Sequence, residues 1–262
     1  MSHLLTTTLL LVLTSAHAQV SESRRFLDDV LKKGEILPRE LNDSLIGKDF
    51  GPLWTGTPNW AIYGFIGDDY QRLRVKFISV IREPSYPAVY RVYGKDMVKN
   101  NICEFQGEIT ITNIRQYDDI SYGLDEAWRD SAIQGRFLVC GRYELLEDPS
   151  QKQAGLFIGG FASFFYIDRT GAVRYDDIDD VADGYTNNQF VGEWSSYDGK
   201  FRKRCNWGDD RIPNSGDLDM GAGDFSPAEE FSSKGWENIS LSYQIGPAGD
   251  RARAAEREIW WK

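Results

Sequence analysis

The sequence has almost no histidine. Only two of its 262 residues are histidine, His3 and His17, and both lie within the first 18 positions. If those positions are removed, no imidazole remains for a Ser-His-Asp or Cys-His catalytic system. Zinc, copper and non-haem iron would also lose their commonest protein ligand. Acid–base chemistry would then depend on Asp, Glu, Tyr, Lys or Cys, and a bound metal would be a hard cation held by oxygen.

Apolar runs long enough to cross a membrane are also lacking. After the N-terminus, no run approaches the ~18 residues that a membrane helix requires, and we expect no transmembrane segment. At the N-terminus, the short apolar run Leu4–Leu13 is followed by Ala16-His17-Ala18, a small-x-small cleavage pattern. These features predict a secretory signal peptide, residues 1–18, cut between Ala18 and Gln19, and therefore a secreted or periplasmic protein.

Positive charge is in deficit. The chain has 40 Asp and Glu against 30 Lys and Arg, which gives a formal net charge of −10 at pH 7. An acidic chain is repelled by phosphate backbones and anionic lipid surfaces. We therefore expect no nucleic-acid partner, whereas a small molecule or a glycan stays open as a ligand.

Cysteine is sparse, and its number is odd. In an oxidising compartment, the three cysteines Cys103, Cys140 and Cys205 can form at most one internal disulfide. Cys103 and Cys205 alternate in step with apolar residues of their segments, whereas Cys140 alternates in step with polar residues. This parity favours a Cys103–Cys205 disulfide. The alternative is three reduced and buried thiols.

Short segments with a period of two dominate the chain after residue 60. Apolar and charged residues alternate near 73–77, 109–111 and 137–145, and turn residues separate these segments. Residues 23–34 carry the apolar stripe of a short helix. The pattern predicts a mainly β protein, an antiparallel β-barrel or β-sandwich with a short N-terminal helical segment. We expect one domain over 19–262, with helix and loop in 19–60 and antiparallel strands in 61–262.

Two further segments have features that bear on the strand assignment. Residues 155–167 are apolar on both faces and predict one or two central strands, with Gly159-Gly160 as a bend or bulge. Residues 238–245 and 251–261 are interpreted as a last hairpin, although Ala, Arg and Glu in the second segment favour a helix.

Asp198-Gly199 gives the strongest hairpin signal in the chain. Because both residues tolerate positive φ, this pair predicts a two-residue type I′ turn. That turn would place Glu193 opposite Arg204 and Phe190 opposite Trp207. One face of the hairpin, which carries both tryptophans of the segment, should then meet a core, and the other face is mostly charged.

The loop 208–225, which follows this hairpin, is dense in aspartate and glycine. A connection of this length is uncommon without a role, so we consider it a ligand-binding candidate. The candidate ligand-binding residues are Trp194, Trp207, Asp209, Asp210, Arg211, Asp217, Asp219 and Asp224. The candidate calcium ligands among them are Asp217, Asp219 and Asp224, although Ala228 stands where a calcium loop would place glutamate. The alternative is a solvated loop with Asx turns.

Three functions are consistent with these features. The first is a non-catalytic binder of a small molecule, glycan or partner, with no cofactor other than calcium. The second is a carboxylate-dependent glycoside hydrolase without histidine, because carboxylates and tryptophans are neighbours at Glu193-Trp194, Trp207-x-Asp209 and Trp236-Glu237. The third is a structural envelope or matrix protein. The sequence identifies no catalytic residue, which favours a binder over an enzyme.

Overall fold

A computed structural model describes residues 22–118 and 133–262; the predicted signal peptide, with its cut between Ala18 and Gln19, lies outside the described residues. The helices of the described chain are α1 (22–31), α2 (Asn42–Leu45), α3 (Gly51–Thr55), α4 (Glu237–Ser242) and α5 (Pro247–Glu256). Short 3-10 turns lie at Asn59–Ala61, Gly216–Leu218 and Glu229–Lys234. The strands are β1 (Ile36–Glu40), β2 (Ile62–Ile66), β3 (Gln71–Arg82), β4 (Val89–Val98), β5 (Asn101–Tyr117), β6 (Gly135–Glu147), β7 (Gly155–Ile167), β8 (Val173–Tyr175), β9 (Asn187–Ser196) and β10 (Arg202–Asp209).

Most of these strands form a closed antiparallel barrel. Around the ring the order is β5-β4-β3-β2-β10-β9-β7-β6, and β6 pairs again with β5 to close it. Strand β1 pairs with the end of β5 that extends beyond β4, and β8 pairs with the end of β7. The prediction of a mainly β, antiparallel fold with a short N-terminal helix is confirmed, and the closing β5–β6 pairing makes it a barrel.

The alternation of side chains explains why these segments form the barrel wall. In β3, the apolar residues Leu73, Val75 and Phe77 are buried in the interior, and Arg74 and Lys76 between them face outward. The interior holds one large apolar cluster that is rich in aromatic rings. The rings of Phe190 and Trp207, for example, are stacked with their centroids 4.9 Å apart. The barrel therefore encloses a packed core.

The β9–β10 hairpin has the predicted register. Glu193 pairs with Arg204, and Phe190 pairs with Trp207. The apolar face of the hairpin points into the barrel, as the period of two predicts. The sequence therefore placed Phe190, Trp194 and Trp207 correctly in the interior, whereas Phe201 of the same predicted face is 61% exposed and Val191 of the opposite face is buried.

The type I′ turn predicted at Asp198-Gly199 is wrong. Gly199 has a φ of +69°, but Asp198 does not have a positive φ. The Gly199 N–H donates to Ser196 O at 2.9 Å, and the Asp198 carboxylate accepts from the Ser196 hydroxyl and from Lys200 N–H. Hydrogen bonds from the Asp198 side chain thus stabilise a longer loop, with only one residue in the left-handed region.

Residues 155–167 form the single strand β7, and the bulge considered at Gly159-Gly160 is not formed, because the register of β7 against β6 is unbroken. The two glycines are needed for close packing on both faces of β7. A Cβ at Gly159 would lie 2.6 Å from the Tyr143 hydroxyl inside the barrel. A Cβ at Gly160 would lie 2.8 Å from a methyl group of Leu27 in α1 on the outside.

The two ends of the barrel differ. Helix α3 closes one end, where Leu53 and Trp54 join the interior cluster and the Trp54 indole N–H donates to the Ser163 hydroxyl at 3.0 Å. At the opposite end the chain turns between β2 and β3, β4 and β5, β6 and β7, and β9 and β10. We call this second end the hairpin mouth; its turns are residues 67–70, 99–100, 148–154 and 197–201.

Helix α1 covers part of the outer surface of the barrel. Its residues Phe26 and Val30 form a second apolar cluster with Leu138, Cys140 and Val191 of the wall. The parity of Cys140 predicted a polar, solvent-facing environment, but this helix buries it. Residues 19–60 also contribute strand β1 to the sheet, in addition to the predicted helices and loops.

The predicted Cys103–Cys205 disulfide is wrong, because all three cysteines are free and buried. Cys103 lies on β5 and Cys205 on β10, and three strands separate β5 from β10 along the sheet. Both thiols occupy buried positions, as their parity predicts, but parity along a strand carries no information about distance around a closed sheet.

The hairpin predicted from 238–245 and 251–261 is wrong as well. Residues 238–242 lie in α4 and 251–256 form the C-terminal part of α5, in agreement with the helix propensity of the Ala- and Arg-rich segment. Glu256 of α5 binds two outward arginines of β3, Arg72 at 2.5 Å and Arg74 at 2.6 Å. None of the helices within 22–118 and 133–262 has the length and apolar content that a membrane-crossing helix requires.

Candidate functional site

The two tryptophans predicted to bind a ligand are core residues. Trp194 and Trp207 are 9% and 2% exposed, and both belong to the interior cluster. The Trp194 indole N–H donates to Glu147 Oε2 at 2.7 Å near the hairpin mouth. Trp207 packs between Phe190 and Tyr143. Neither ring is on the outer surface beside the 208–225 loop. Trp207 lines a small interior space with Asp209, but neither tryptophan lines the outer pocket with Asp210 and Asp224.

Asp209 is at the end of β10 and faces the barrel interior, where it is 2% exposed. Its Oδ2 accepts hydrogen bonds from Thr57 Oγ1 at 2.8 Å, Asn188 Nδ2 at 2.7 Å and Tyr175 Oη at 3.0 Å. Asn188 Nδ2 also donates to Leu53 O of α3. Burial raises the pKa of Asp209 to about 7, although the three donors oppose this shift. Asp209 therefore connects the helix that closes the barrel to the wall, and does not contact the outer surface.

Asp210, the next residue, lies on the other side of the wall. Its φ of +62° and a hydrogen bond from its N–H to Ala61 O, 2.8 Å long, turn the chain as it leaves β10. The side chain lines a pocket on the outside of the barrel. Burial, and then the charges of Asp180 and Asp224, raise the pKa of the Asp210 carboxyl to about 6.

The pocket next to Asp210 lies between the barrel, the acidic segment 176–185 and the two C-terminal helices. Its volume is about 310 Å³. The aromatic residues that line it are Trp60, Tyr63, Tyr185, Phe225 and Tyr243, and the charged residues are Asp180, Asp210, Asp224, Arg253, Glu256 and Arg257. A concave site of this size with aromatic walls and a few polar groups is typical of small-molecule binding.

Contacts with neighbouring groups fix several of the aromatic rings in this pocket. Tyr185 Oη donates to Asp176 O at 2.6 Å, and Tyr243 Oη donates to Phe225 O at 2.8 Å. The ring of Tyr63 stacks on that of Phe225, with centroids 4.7 Å apart. These contacts hold the walls in place before any ligand binds, which lowers the entropic cost of binding.

The charged residues in the pocket fall into two groups. Glu256 is neutralised by Arg72 and Arg74, and Arg253 binds Asp250 of its own helix. By contrast, within 22–118 and 133–262 no ion pair forms at Asp180, Asp210 or Asp224; these are the acidic residues that remain available to a ligand. The described pocket therefore presents an excess of acceptors and negative charge.

Arg211 and Asp219 have a structural role in the 208–225 loop. Arg211 Nη1 binds Asp219 Oδ2 at 2.8 Å, and the same guanidinium donates to Gly221 O and Gly223 O. Asp219 Oδ1 accepts from the N–H groups of Gly221 and Ser226. The loop is therefore rigidified around one partly buried ion pair, and neither residue lines the pocket.

The three predicted calcium ligands do not converge. Both carboxylate oxygens of Asp219 are used within the loop, and Asp217 is exposed on a 3-10 turn. Asp224 lines the pocket with Asp210 instead. Among the residues that the structure describes, no group of three or more acidic, cysteine or histidine side chains could hold a metal ion. Calcium binding by this loop is therefore not supported.

Sequence reasoning found Asp210 and Asp224 but missed most of the pocket. Tyr243, Arg253 and Arg257 were missed because their segments were assigned to strands, on which alternate residues would face away from one another. Asp180 belongs to an acidic run that is visible in the sequence, but nothing there links it to Asp210. The helix propensity of 251–256 was the one signal that could have indicated this wall.

The pocket combines ionisable acceptors with ring faces, and it can bind a polar molecule without covalent chemistry. Asp210 would accept hydrogen bonds or a positive charge once ionised, and the exposed ring of Trp60 and that of Tyr243 offer apolar surface. Arg257 lies over the Trp60 ring, 5.7 Å from its centroid, and can donate hydrogen bonds at the rim. No family model, curated protein sequence or solved structure matches the chain.

Proposed function

We propose that the protein is an exported, non-catalytic binder of a small polar molecule, with saccharides as the first class to test. The observation that carries this proposal is the pocket of about 310 Å³ in which Asp210 and two further carboxylates face aromatic walls. The export expected from residues 1–18 is part of the proposal, since such a protein would meet its ligand outside the cytoplasm.

The chemistry of the pocket fits a molecule with several hydroxyl or amino groups. An ionised carboxylate can accept hydrogen bonds but cannot donate them. Asp180, Asp210 and Asp224 therefore favour a ligand with hydrogen-bond donors. A sugar ring offers such donors around its edge and an apolar face that can lie on a ring such as Tyr243, which is 52% exposed. The fixed walls favour binding of one shape of ligand, because little ordering is needed.

A glycoside hydrolase is the second candidate, and one observation favours it. General acid catalysis needs a carboxyl whose pKa is raised, close to a carboxylate that stays ionised. Asp210 has a pKa raised to about 6, and Asp180 and Asp224 are the charges that contribute to this rise. The same three carboxylates that would bind a sugar could then cleave it, which makes turnover the deciding observation.

The test is a binding screen combined with an assay for turnover. Purified protein would be applied to a glycan array and to a library of small polar molecules, and hits would be incubated with the protein and assayed for reducing ends. Asp210→Asn should weaken binding at least tenfold. Asp217→Asn removes an exposed carboxylate of the same loop that does not line the pocket, and it should leave binding unchanged.

Each outcome separates the candidates. Binding that depends on Asp210 without release of reducing ends supports the binder. Release of reducing ends that disappears in Asp210→Asn supports the hydrolase. If neither occurs and the protein assembles stably with itself, the structural envelope or matrix function is favoured and the proposal fails.

A further inference from the structure

Two buried carboxyl groups meet at the hairpin mouth, far from the pocket of Asp210 along the barrel. Asp96 near the end of β4 is 2% exposed, and Glu147 at the end of β6 is 3% exposed. The two side chains are close enough to share a hydrogen bond. Two carboxylates cannot bind each other in this way unless a proton lies between them. Asp96, whose burial raises its pKa, is therefore the member of the pair that carries this proton.

Glu147 is fixed by donors from the barrel, whereas Asp96 is not fully satisfied. Glu147 Oε2 accepts from Gly155 N–H at 2.5 Å and from the Trp194 indole N–H at 2.7 Å. Asp96 Oδ2 is buried and has no hydrogen-bond donor among the described residues. An acceptor that is removed from water without a partner costs about 1–3 kcal/mol, and more when it is charged. Such an oxygen indicates that a donor from outside the chain belongs there.

A cavity next to the pair has room for that donor. Its volume is about 200 Å³, and both Asp96 and Glu147 line it. A water molecule occupies ~30 Å³ in the liquid, so the cavity can hold a ligand of several non-hydrogen atoms. Trp194 and Phe157 form an apolar wall, and an aromatic ring also attracts a cation that lies over its face.

The chain does not itself neutralise this negative charge. Lys99 and Lys203 also line the cavity, but both are exposed, and neither forms an ion pair with Asp96 or Glu147 within the described part of the chain. The third acidic residue of the lining, Asp69, binds Lys234 on the surface at 2.6 Å. The charge that is missing at the base of the cavity is therefore a positive one.

We propose that the hairpin mouth is a second ligand site, for a small molecule that carries a primary ammonium group. The ammonium would donate to the unpartnered Asp96 Oδ2 and to Glu147, and the carbon chain would lie on Trp194 and Phe157. The ammonium displaces the proton of Asp96, which leaves to solvent, so charge is conserved in the exchange. This site does not depend on the proposed function of the pocket next to Asp210.

The exchange makes binding depend on pH in a defined direction. Burial, and then the charge of Glu147 and the hydrogen bond to it, raise the pKa of Asp96 well above its ordinary value. While Asp96 holds its proton, the affinity for an ammonium should rise up to tenfold per pH unit. Other ionisable groups around the pair include the Cys103 thiol on β5, Lys203 on β10, Tyr197, whose hydroxyl donates to Glu147 O, and Asp69 and Lys99 in the turns. Burial raises the pKa of Cys103 to about 12, so this thiol stays neutral throughout.

The probe is pentylammonium, with 1-pentanol as an uncharged molecule of the same length. Calorimetric titration at pH 7 should show that pentylammonium binds at least tenfold more tightly than pentanol. Titrations in phosphate and in HEPES, whose ionisation enthalpies differ and neither of which carries a primary ammonium group, should show that close to one proton is released. This measurement needs only the unaltered protein, and binding without proton release would overturn the proposal.

Variants then locate the binding. Asp96→Asn keeps the shape of the side chain and removes the charge. It should reduce pentylammonium affinity at least tenfold. If Asp96→Asn does not fold, Glu147→Gln is the second variant, with the same expected loss. Asp68→Asn is the matched control, because Asp68 is an exposed carboxylate of the same barrel end that does not line the cavity. Affinity that survives Asp96→Asn, or a loss of equal size in Asp68→Asn, would overturn the proposal. A failure of the unaltered protein to bind pentylammonium measurably would also overturn the proposal.

Discussion

Replacement of Asp209 by asparagine should stabilise the protein at neutral pH. Asp209 is 2% exposed, and burial raises its pKa from the ordinary 3.8 to about 7. The folded state therefore retains a proton that the unfolded state has already lost. Stability falls as the pH rises from about 4, where the unfolded carboxyl ionises, and the loss is complete above about pH 7, where the folded carboxyl ionises too.

The size of the effect follows from the shift of about three pKa units. At 1.36 kcal/mol per unit, ionisation of Asp209 costs about 4 kcal/mol of unfolding free energy at high pH. About 3 kcal/mol of this cost should appear between pH 4.5 and pH 8. The amide introduced by Asp209→Asn keeps one oxygen for the donors Thr57, Asn188 and Tyr175. Its buried NH₂ group costs ~1–3 kcal/mol at every pH. This cost moves the whole curve without changing its slope.

The assay is urea unfolding of both proteins at pH 4.5, 6 and 8. The difference in unfolding free energy between Asp209→Asn and the unaltered protein should change by about 3 kcal/mol in favour of the variant across this range. Other buried acids, such as Asp176, contribute to both curves and cancel in the difference. Asp217→Asn, an exposed control, should show no such change. A constant difference between Asp209→Asn and the unaltered protein would refute the reasoning.

Three further predictions concern the walls of the pocket and the loop beside it. Glu256→Gln should lower the unfolding free energy by roughly 3–5 kcal/mol, because it leaves Arg72 and Arg74 buried without a carboxylate. Hydrogen exchange should then show faster opening of α4 and α5. Unchanged exchange would contradict the role of this contact in docking the helices. Gly221→Ala should cost about 1–3 kcal/mol from overpacking, because its Cβ would lie 1.8 Å from Asp224 O. Gly199→Ala should lower the unfolding free energy by about 1–2 kcal/mol, because the backbone φ of Gly199 is +69°, although no atom would contact the added Cβ. The losses from Gly221→Ala and Gly199→Ala should add in the double variant. A departure of more than ~0.5 kcal/mol from their sum would show that the loop and the hairpin are coupled.

Local alternation predicted much of the fold. It identified the wall strands and the inward face of the β9–β10 hairpin that carries Trp194 and Trp207, and the turn signal at Asp198-Gly199 gave the register of that hairpin. These features depend only on residues that are close in sequence, and a period of two is enough to assign their faces. It could not predict that β6 returns to β5, because pairing between segments far apart depends on which faces are covered by other elements. The disulfide prediction failed for the same reason.

The site was predicted only in part because neighbouring residues in a strand face opposite ways. Asp209 and Asp210 look equivalent in the sequence, but one lies inside the barrel and the other in the outer pocket. Arg211 and Asp219 look like ligand-binding residues, but they bind each other. The carboxyl pair of Asp96 and Glu147 is 51 positions apart in the chain, and no local pattern connects the two residues.

The proposed function is tested most directly by calorimetric titration of the best hit from the binding screen at pH 5 and pH 7.5. Because the pKa of Asp210 is raised to about 6, the unaltered protein should bind more tightly at pH 7.5, where this carboxyl is ionised. Asp210→Asn should bind at least tenfold more weakly at pH 7.5 and lose most of the dependence on pH. Wild-type affinity in Asp210→Asn would contradict the proposal that this pocket is the binding site.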